Sequence, residues 1–132
     1  MKRIFIIVII IAAALGAAGA WLPYSQYKEK MAVLKQDIKC LITALELYKN
    51  DFGSFPSGDN AQIMRAISGE NIKKKAYIES SQDSKNPQGE LLDPWRTPYL
   101  ILITDSQPVI ASAGSAKNFD STAIILRTKP NF

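Results

Sequence analysis

The first third of the chain contains two consecutive apolar patterns of different kinds. Residues Ile4 to Leu22 form a run of 19 residues without a charge, dominated by isoleucine, alanine and glycine. Beyond it, apolar residues recur at alternating spacings of three and four, at Met31, Leu34, Ile38, Leu41, Leu45, Tyr48 and Phe52. This spacing marks one face of an α-helix. The two patterns together predict one long helix from about Ile4 to Asp51, which Gly53 ends.

The uncharged run has the length of a membrane-spanning helix. About 20 apolar residues cross the hydrocarbon core of a bilayer. Lys2 and Arg3 precede the run, and cations flanking a span favour the cytoplasmic side. We therefore expect residues 1–3 to be a cytoplasmic basic tip, residues 4–22 a single-pass transmembrane helix, and residues 23–132 an extracytoplasmic domain.

A cleaved secretory signal is the competing interpretation of the same run. Residues Ile4 to Leu15 fit the apolar centre of a signal peptide, and Ala18-Gly19-Ala20 fits a cleavage site before Trp21. Both interpretations carry the domain across a membrane. They differ in whether the domain then remains attached.

After the long helix the pattern predicts a small mixed head, residues 52–132. A short helix begins at Asp59, because Gln62 completes a capping box, and it ends at Gly69. Alternating apolar residues then predict strands at Tyr99–Thr104, Val109–Ser112 and Thr122–Arg127, with a turn at Asp105–Pro108 between the first two. The expected fold class is α+β, with the long helix packed on a small antiparallel sheet of about three strands.

Composition argues against most enzymatic chemistry. The chain has no histidine, one cysteine and a net charge of +4. Histidine-based catalysis, zinc sites that need histidine and an internal disulfide are therefore excluded. We expect no catalytic residue, no cofactor, no nucleic-acid partner and no small-molecule substrate. Cys40 is interpreted as a small packed residue beside the helical stripe, and Lys73-Lys74-Lys75 as a solvated loop accompanied only by Tyr77.

The segment Asp93 to Tyr99 combines several residues that fix a backbone. Pro94 and Pro98 each restrict one backbone angle, and Trp95 is a large apolar anchor. The Asp93 side chain is placed to accept hydrogen bonds from the turn that follows it. We expect the segment to hold the start of the first strand, so that its role is structural.

Several segments, in order, resemble the type IV pilins and the major pseudopilin of type II secretion systems. Leu92-Asp93-Pro94-Trp95-Arg96-Thr97-Pro98-Tyr99 is similar to the Asp-Pro-Trp-Gly-x-Pro-Tyr signature of that pseudopilin. Ala111-Ser112-Ala113-Gly114 resembles its Ser-x-Gly segment, and Phe52-Gly53-Ser54-Phe55-Pro56-Ser57 resembles the exit from the family's long helix. The resemblance covers nearly the whole chain.

The resemblance implies a pilin-like structural subunit that acts by assembly in protein export. It implies a place in the bacterial inner membrane, with the N-terminus in the cytoplasm and the head in the periplasm, and other pilin-like subunits or secretion-apparatus proteins as partners. Two other classes stay open: a periplasmic binding module released by signal peptidase after Ala20, and a small hydrolase that uses carboxylates.

The sequence departs from the family pattern at three places. No processing glycine precedes Phe5, and Ile9 stands where the family carries a glutamate. Arg96 stands at a family glycine. The third departure is the loop Gly114 to Asp120, where the resemblance implies calcium: Ala116 offers no side-chain oxygen and Lys117 adds a repelling charge, whereas calcium takes six to eight oxygens. We therefore expect no metal site.

Overall fold

The computed structural model describes the backbone of residues 2–104, 107–120 and 123–127, and the side chains of residues 23–104, 107–120 and 123–124. The chain divides into two compact units, Met1–Val33 and Leu34–Phe132, which are described separately.

The first unit consists of the beginning of helix α1. This helix runs from Lys2 to Phe52, so its 51 residues confirm the single long helix, and Pro23 lies inside it without ending it. Within the described part of the chain, no helix has both the length and the apolar character that a membrane crossing needs. The side chains of the predicted span, residues 4–22, lie outside the described residues.

In the second unit, α1 buries the middle of the predicted stripe, whereas Tyr48 and Phe52 near its end are half-buried. Its inward stripe consists of residues that are at most 3% exposed: Leu34, Ile38, Leu41 and Leu45. The helix ends as predicted, because Gly53 takes a φ of +80° and its N–H donates to the Lys49 carbonyl at 2.7 Å. A residue without a side chain adopts this left-handed conformation at little cost.

A second helix, α2, spans Asn60–Ile67 and begins with the predicted capping box. The Asp59 carboxyl group accepts from the Gln62 N–H at 2.8 Å, and the Gln62 side chain accepts from the Asp59 N–H at 2.9 Å. These two bonds satisfy donors that the first turn of a helix leaves unpaired. The helix buries Ile63, Met64 and Ile67 in the core.

Three short strands form one antiparallel sheet in the order β1-β2-β3. They span Leu100–Ile103 (β1), Pro108–Ser112 (β2) and Ile124–Arg127 (β3). In the register, Ile101 lies opposite Ile110, and Ile110 lies opposite Leu126. Ile101 and Ile110 are buried, and the long helix packs on this small sheet, which confirms the α+β fold class.

The predicted turn before β2 is described only at its ends. The Thr104 N–H donates to the Gln107 carbonyl at 3.1 Å, and the Thr104 hydroxyl donates to the same oxygen at 2.6 Å. Asp105 and Ser106 lie outside the described residues, as does Thr122 at the predicted start of the third strand.

Candidate interaction surfaces

The Asp93 side chain organises the turn before β1, as the sequence predicts. Its Oδ1 accepts from the N–H groups of Trp95 and Thr97, both at 2.9 Å. The Asp93 N–H donates to the Thr97 carbonyl at 2.8 Å, which closes the turn. Trp95 and Tyr99 are buried, so both belong to the core and are not placed to stack on a ligand.

The second oxygen of Asp93 connects this turn to the end of β2. The Ser112 hydroxyl donates to Asp93 Oδ2 at 2.6 Å and accepts from the Gly114 N–H at 3.0 Å. All three groups are buried. Because each polar atom of this network has a protein partner, the Asp93 carboxyl group has a structural role.

Arg96 adopts a backbone conformation that explains the glycine of the family signature. Its φ is +70°, and its N–H donates to the Asp93 carbonyl at 2.9 Å. A side chain in this left-handed region costs about 1 to 2 kcal/mol. The Arg96 guanidinium donates to the Asp83 carbonyl at 2.5 Å, a contact that glycine could not make.

A buried amide that sequence reasoning did not single out joins α2 to the turn. Asn60 Nδ2 donates to the carbonyls of Leu91 and Tyr99 at 3.1 and 2.8 Å, and Asn60 Oδ1 accepts from the Leu91 N–H at 2.8 Å. Its position directly after the helix cap gave no signal of these contacts, because the partners lie more than 30 residues away.

One hydrogen bond joins α1 to the residue just before β1. The Tyr99 hydroxyl donates to Asp37 Oδ2 at 3.1 Å. Burial raises the pKa of Asp37, and the bond from Tyr99 only partly opposes that rise. Burial, reinforced by the Asp37 charge, also raises the pKa of Tyr99. The bond ties the part of α1 that belongs to the second unit to the start of the sheet.

The face of α1 opposite the core carries four exposed, uncharged residues at helical spacing, which form an outward stripe: Gln36, Cys40, Thr43 and Leu47. Gln36 Nε2 donates to Cys40 Sγ at 3.3 Å, and the Thr43 hydroxyl donates to the Lys39 carbonyl at 2.9 Å. Cys40 is exposed, so its prediction as a packed residue is wrong. It lies one residue before Leu41, about 100° away around the helix.

A groove runs between this stripe and the segment that follows α2. Its volume is about 590 Å³, and its walls include Gln36, Cys40 and Thr43 on the helix and Tyr77 to Ser81 on the segment. The Ser80 hydroxyl oxygen is buried and has no hydrogen-bond partner among the described residues. The groove and the outward stripe form one continuous candidate contact surface.

At the C-terminal end of α1, Asp51 receives two donors from the loop after α2. Lys75 Nζ and the Tyr77 hydroxyl contact Asp51 Oδ2 at 2.5 and 2.6 Å. The bond from Lys75, more than any other contact, lowers the pKa of Asp51. Desolvation and the bond to Asp51 raise the pKa of Tyr77 to about 12. Lys73, Lys74 and Lys75 are exposed, in agreement with the predicted solvated loop, and Lys75 is in addition held by Asp51.

The loop after β2 is described as far as Asp120. Residues Gly114–Ala116 form a short 3-10 helix, and Lys117 follows in the left-handed region at a φ of +57°. Among the described residues, no group of three or more histidine, cysteine, aspartate or glutamate side chains is arranged to hold a metal ion.

Comparison with known proteins gives a family. The model of the family "Type II secretion system (T2SS), protein G" matches residues 24–121. No curated protein and no solved structure matches the chain significantly. The match covers about three quarters of the chain, including α1 from Tyr24, the Asp93 turn and the first two strands. The chain therefore belongs to the family of type II secretion system protein G, the major pseudopilin.

Proposed function

We propose that the chain is a membrane-anchored pseudopilin subunit, which acts by assembly in protein export and not by catalysis. The observation that carries this proposal is the division of α1 into two faces. The inward stripe is buried in this chain's own core, whereas the outward stripe is exposed and uncharged. A surface of this kind is suited to packing against another pilin-like subunit or a secretion-apparatus protein.

The outward stripe presents a low cost of desolvation. The Gln36 and Thr43 side chains already donate within the helix, so a partner need not replace those hydrogen bonds. This feature supports a protein partner along α1.

The membrane anchor is proposed from the sequence. Residues 4–22 carry no charge and follow Lys2 and Arg3, a pattern that favours a single span with the N-terminus in the cytoplasm. The head would then lie in the periplasm. Ile9 in place of the family glutamate leaves the span free of a buried charge, which suits a permanent anchor. Subunit recognition would then depend on contacts outside the span.

Site-specific photo-crosslinking in cells tests the assembly role. A benzoylphenylalanine at Thr43, on the outward stripe, should yield a ladder of crosslinked pilin-like subunits. The matched control is Ser57, which is exposed and follows the C-terminal end of α1 in the chain. If Thr43 and Ser57 crosslink equally weakly, or if Thr43 captures no subunit of the apparatus, the outward stripe is not an assembly surface.

A periplasmic binding module is the second candidate, and the groove of about 590 Å³ is the observation that favours it. In that case signal peptidase would release the chain after Ala20. The mature protein would begin at Trp21 and would leave the membrane. The intact mass of the chain isolated from cells separates the two candidates.

A further inference from the structure

Lysines from two segments lie at the C-terminal end of α1. Lys49 lies on the helix, and Lys73, Lys74 and Lys75 come from the loop after α2. Lys73 Nζ donates to the Asp51 carbonyl at 2.8 Å, while Lys75 binds the Asp51 side chain. We call the four residues the lysine cluster.

Aromatic rings position three of the four ammonium groups. Lys49 Nζ lies 4.6 Å from the centroid of the Phe55 ring, and Lys73 Nζ lies 5.1 Å from that of Phe52. Lys75 Nζ lies 5.0 Å from the centroid of the Tyr77 ring. Contacts of this kind hold a cation at the surface without neutralising it. The cluster is therefore preorganised for an anionic partner.

The loop that carries three of the lysines has a fixed shape. Asn71 Nδ2 donates to the carbonyls of Ala66 and Lys75 at 2.8 and 2.7 Å, and Asn71 Oδ1 accepts from the Lys75 N–H at 3.2 Å. Lys74 takes a φ of +52°, a left-handed conformation that disfavours a lysine. Such local strain concentrates at functional surfaces.

The charge of the cluster is only partly balanced. Within the described part of the chain, Asp51 is the carboxyl group that pairs with these lysines, and its pairing is with Lys75. Lys49 and Lys74 form no ion pair with any described residue. The surface therefore retains a strong positive charge.

The same loop exposes an apolar side chain. Ile72, directly before the lysines, is 94% exposed. Because Asn71 fixes the loop, Ile72 is held at the edge of the cluster. An apolar anchor beside charged residues is a common arrangement in protein–protein contacts.

We propose that the lysine cluster and Ile72 dock an acidic polypeptide segment that also carries an apolar side chain. A nucleic acid fits less well, because ammonium groups lie over the rings on which bases would stack. Neither feature belongs to the outward stripe of α1. The docking surface is therefore separate from the surface that is proposed to pack along α1.

Binding to synthetic acidic peptides tests this docking. The full chain would be placed in nanodiscs of neutral lipid. Fluorescence anisotropy would then measure the binding of two peptides, one of alternating Glu and Leu and one of alternating Glu and Gly. The Glu–Leu peptide should bind more tightly. The double substitution Lys49→Gln and Lys74→Gln should weaken its binding about tenfold. The matched control, Lys35→Gln with Lys39→Gln, removes the same charge from exposed positions and should change the binding less than about twofold.

Two further results decide the proposal. Ile72→Ser should abolish the preference for Glu–Leu over Glu–Gly, and Lys74→Asn, which suits the left-handed backbone, should weaken both peptides while retaining the fold. The proposal would be overturned if the Lys49→Gln and Lys74→Gln double variant and its control lost peptide affinity equally. Tighter binding of a duplex DNA fragment than of the peptide, or a preference that Ile72→Ser leaves intact, would overturn it as well.

Discussion

The Ser112 hydroxyl donates a hydrogen bond of 2.6 Å to the Asp93 carboxyl group, and this bond joins the end of β2 to the turn that precedes β1. Both residues are buried. The two residues are 19 positions apart in the chain. Because Leu100 pairs with Ala111, the start of β1 and the end of β2 lie at the same end of the sheet, and the bond holds the turn there. It also gives a physical role to two of the segments that carry the family resemblance.

We expect Ser112→Ala to lower the free energy of unfolding by about 1 to 3 kcal/mol. The substitution removes one partner of Asp93 Oδ2 and leaves the buried Gly114 N–H without its acceptor. Denaturation of the full chain in detergent, followed by circular dichroism, measures the change. The control Ser57→Ala lies on the surface and should stay within about 0.5 kcal/mol of the parent.

We expect the Arg96→Gly variant to be more stable than the Arg96→Ala variant by about 1 kcal/mol. In helices and strands the order is the opposite, and alanine is the more stable residue. Arg96→Gly and Arg96→Ala both lose the guanidinium contact to the Asp83 carbonyl, so their difference isolates the cost of the φ of +70°. Paired thermal melts measure it. An alanine variant equal to or more stable than the glycine variant would show that this turn is not left-handed.

The two faces of α1 should respond differently to truncation. Leu41 is fully buried, and Leu41→Ala should lower the free energy of unfolding by about 2 to 5 kcal/mol. Leu47 is 46% exposed on the same helix, so Leu47→Ala should cost less than about 1 kcal/mol in the isolated subunit. If the subunit packs through its outward stripe, Leu47→Ala should nevertheless reduce crosslinking between subunits in cells.

Two aspartates should make opposite contributions to the pH dependence of stability. The pKa of Asp51 is lowered in the folded state, chiefly by the bond from Lys75. The ionised Asp51 therefore adds to the free energy of unfolding above the unfolded-state pKa of 3.8. This stabilisation is lost as the pH falls through the lower pKa of the folded state. The difference in unfolding free energy between the parent and Asp51→Asn should accordingly shrink in acid.

Asp37 has the opposite sign, because burial raises its pKa. The protonated Asp37 therefore stabilises the fold fully below the unfolded-state pKa of 3.8. This stabilisation is lost as the pH rises through the higher pKa of the folded state. Relative to Asp37→Asn, the parent should therefore gain stability as the pH is lowered. Carboxyl NMR titrations would read both pKa values directly, and a lowered Asp37 pKa would contradict the burial of this side chain.

The features that the sequence predicts well are those encoded by neighbouring residues. The three-and-four spacing of the inward stripe, the Asp59–Gln62 capping box and the Asp93 turn each depend on residues a few positions apart. The structure confirms all three. Local patterns of this kind are readable because the geometry of a helix or a turn is fixed.

The features that were missed depend on residues brought together from distant segments. The lysine run has only Tyr77 as an aromatic neighbour in the sequence, yet Phe52, the last residue of α1, also contacts Lys73. Asn60 likewise finds its partners only in the folded head. The exposure of Cys40 follows from its angle around the helix, which its neighbour Leu41 could have indicated.

The most direct test of the proposed anchored subunit is whether residues 4–22 stay in the protein and hold it in the membrane. The full-length chain would be expressed in a bacterium, the membranes washed with alkaline carbonate, and the intact mass of the retained protein determined. The account predicts that the chain stays in the washed membranes until detergent is added, with residues 4–22 still attached. A water-soluble chain that begins at Trp21 would contradict it.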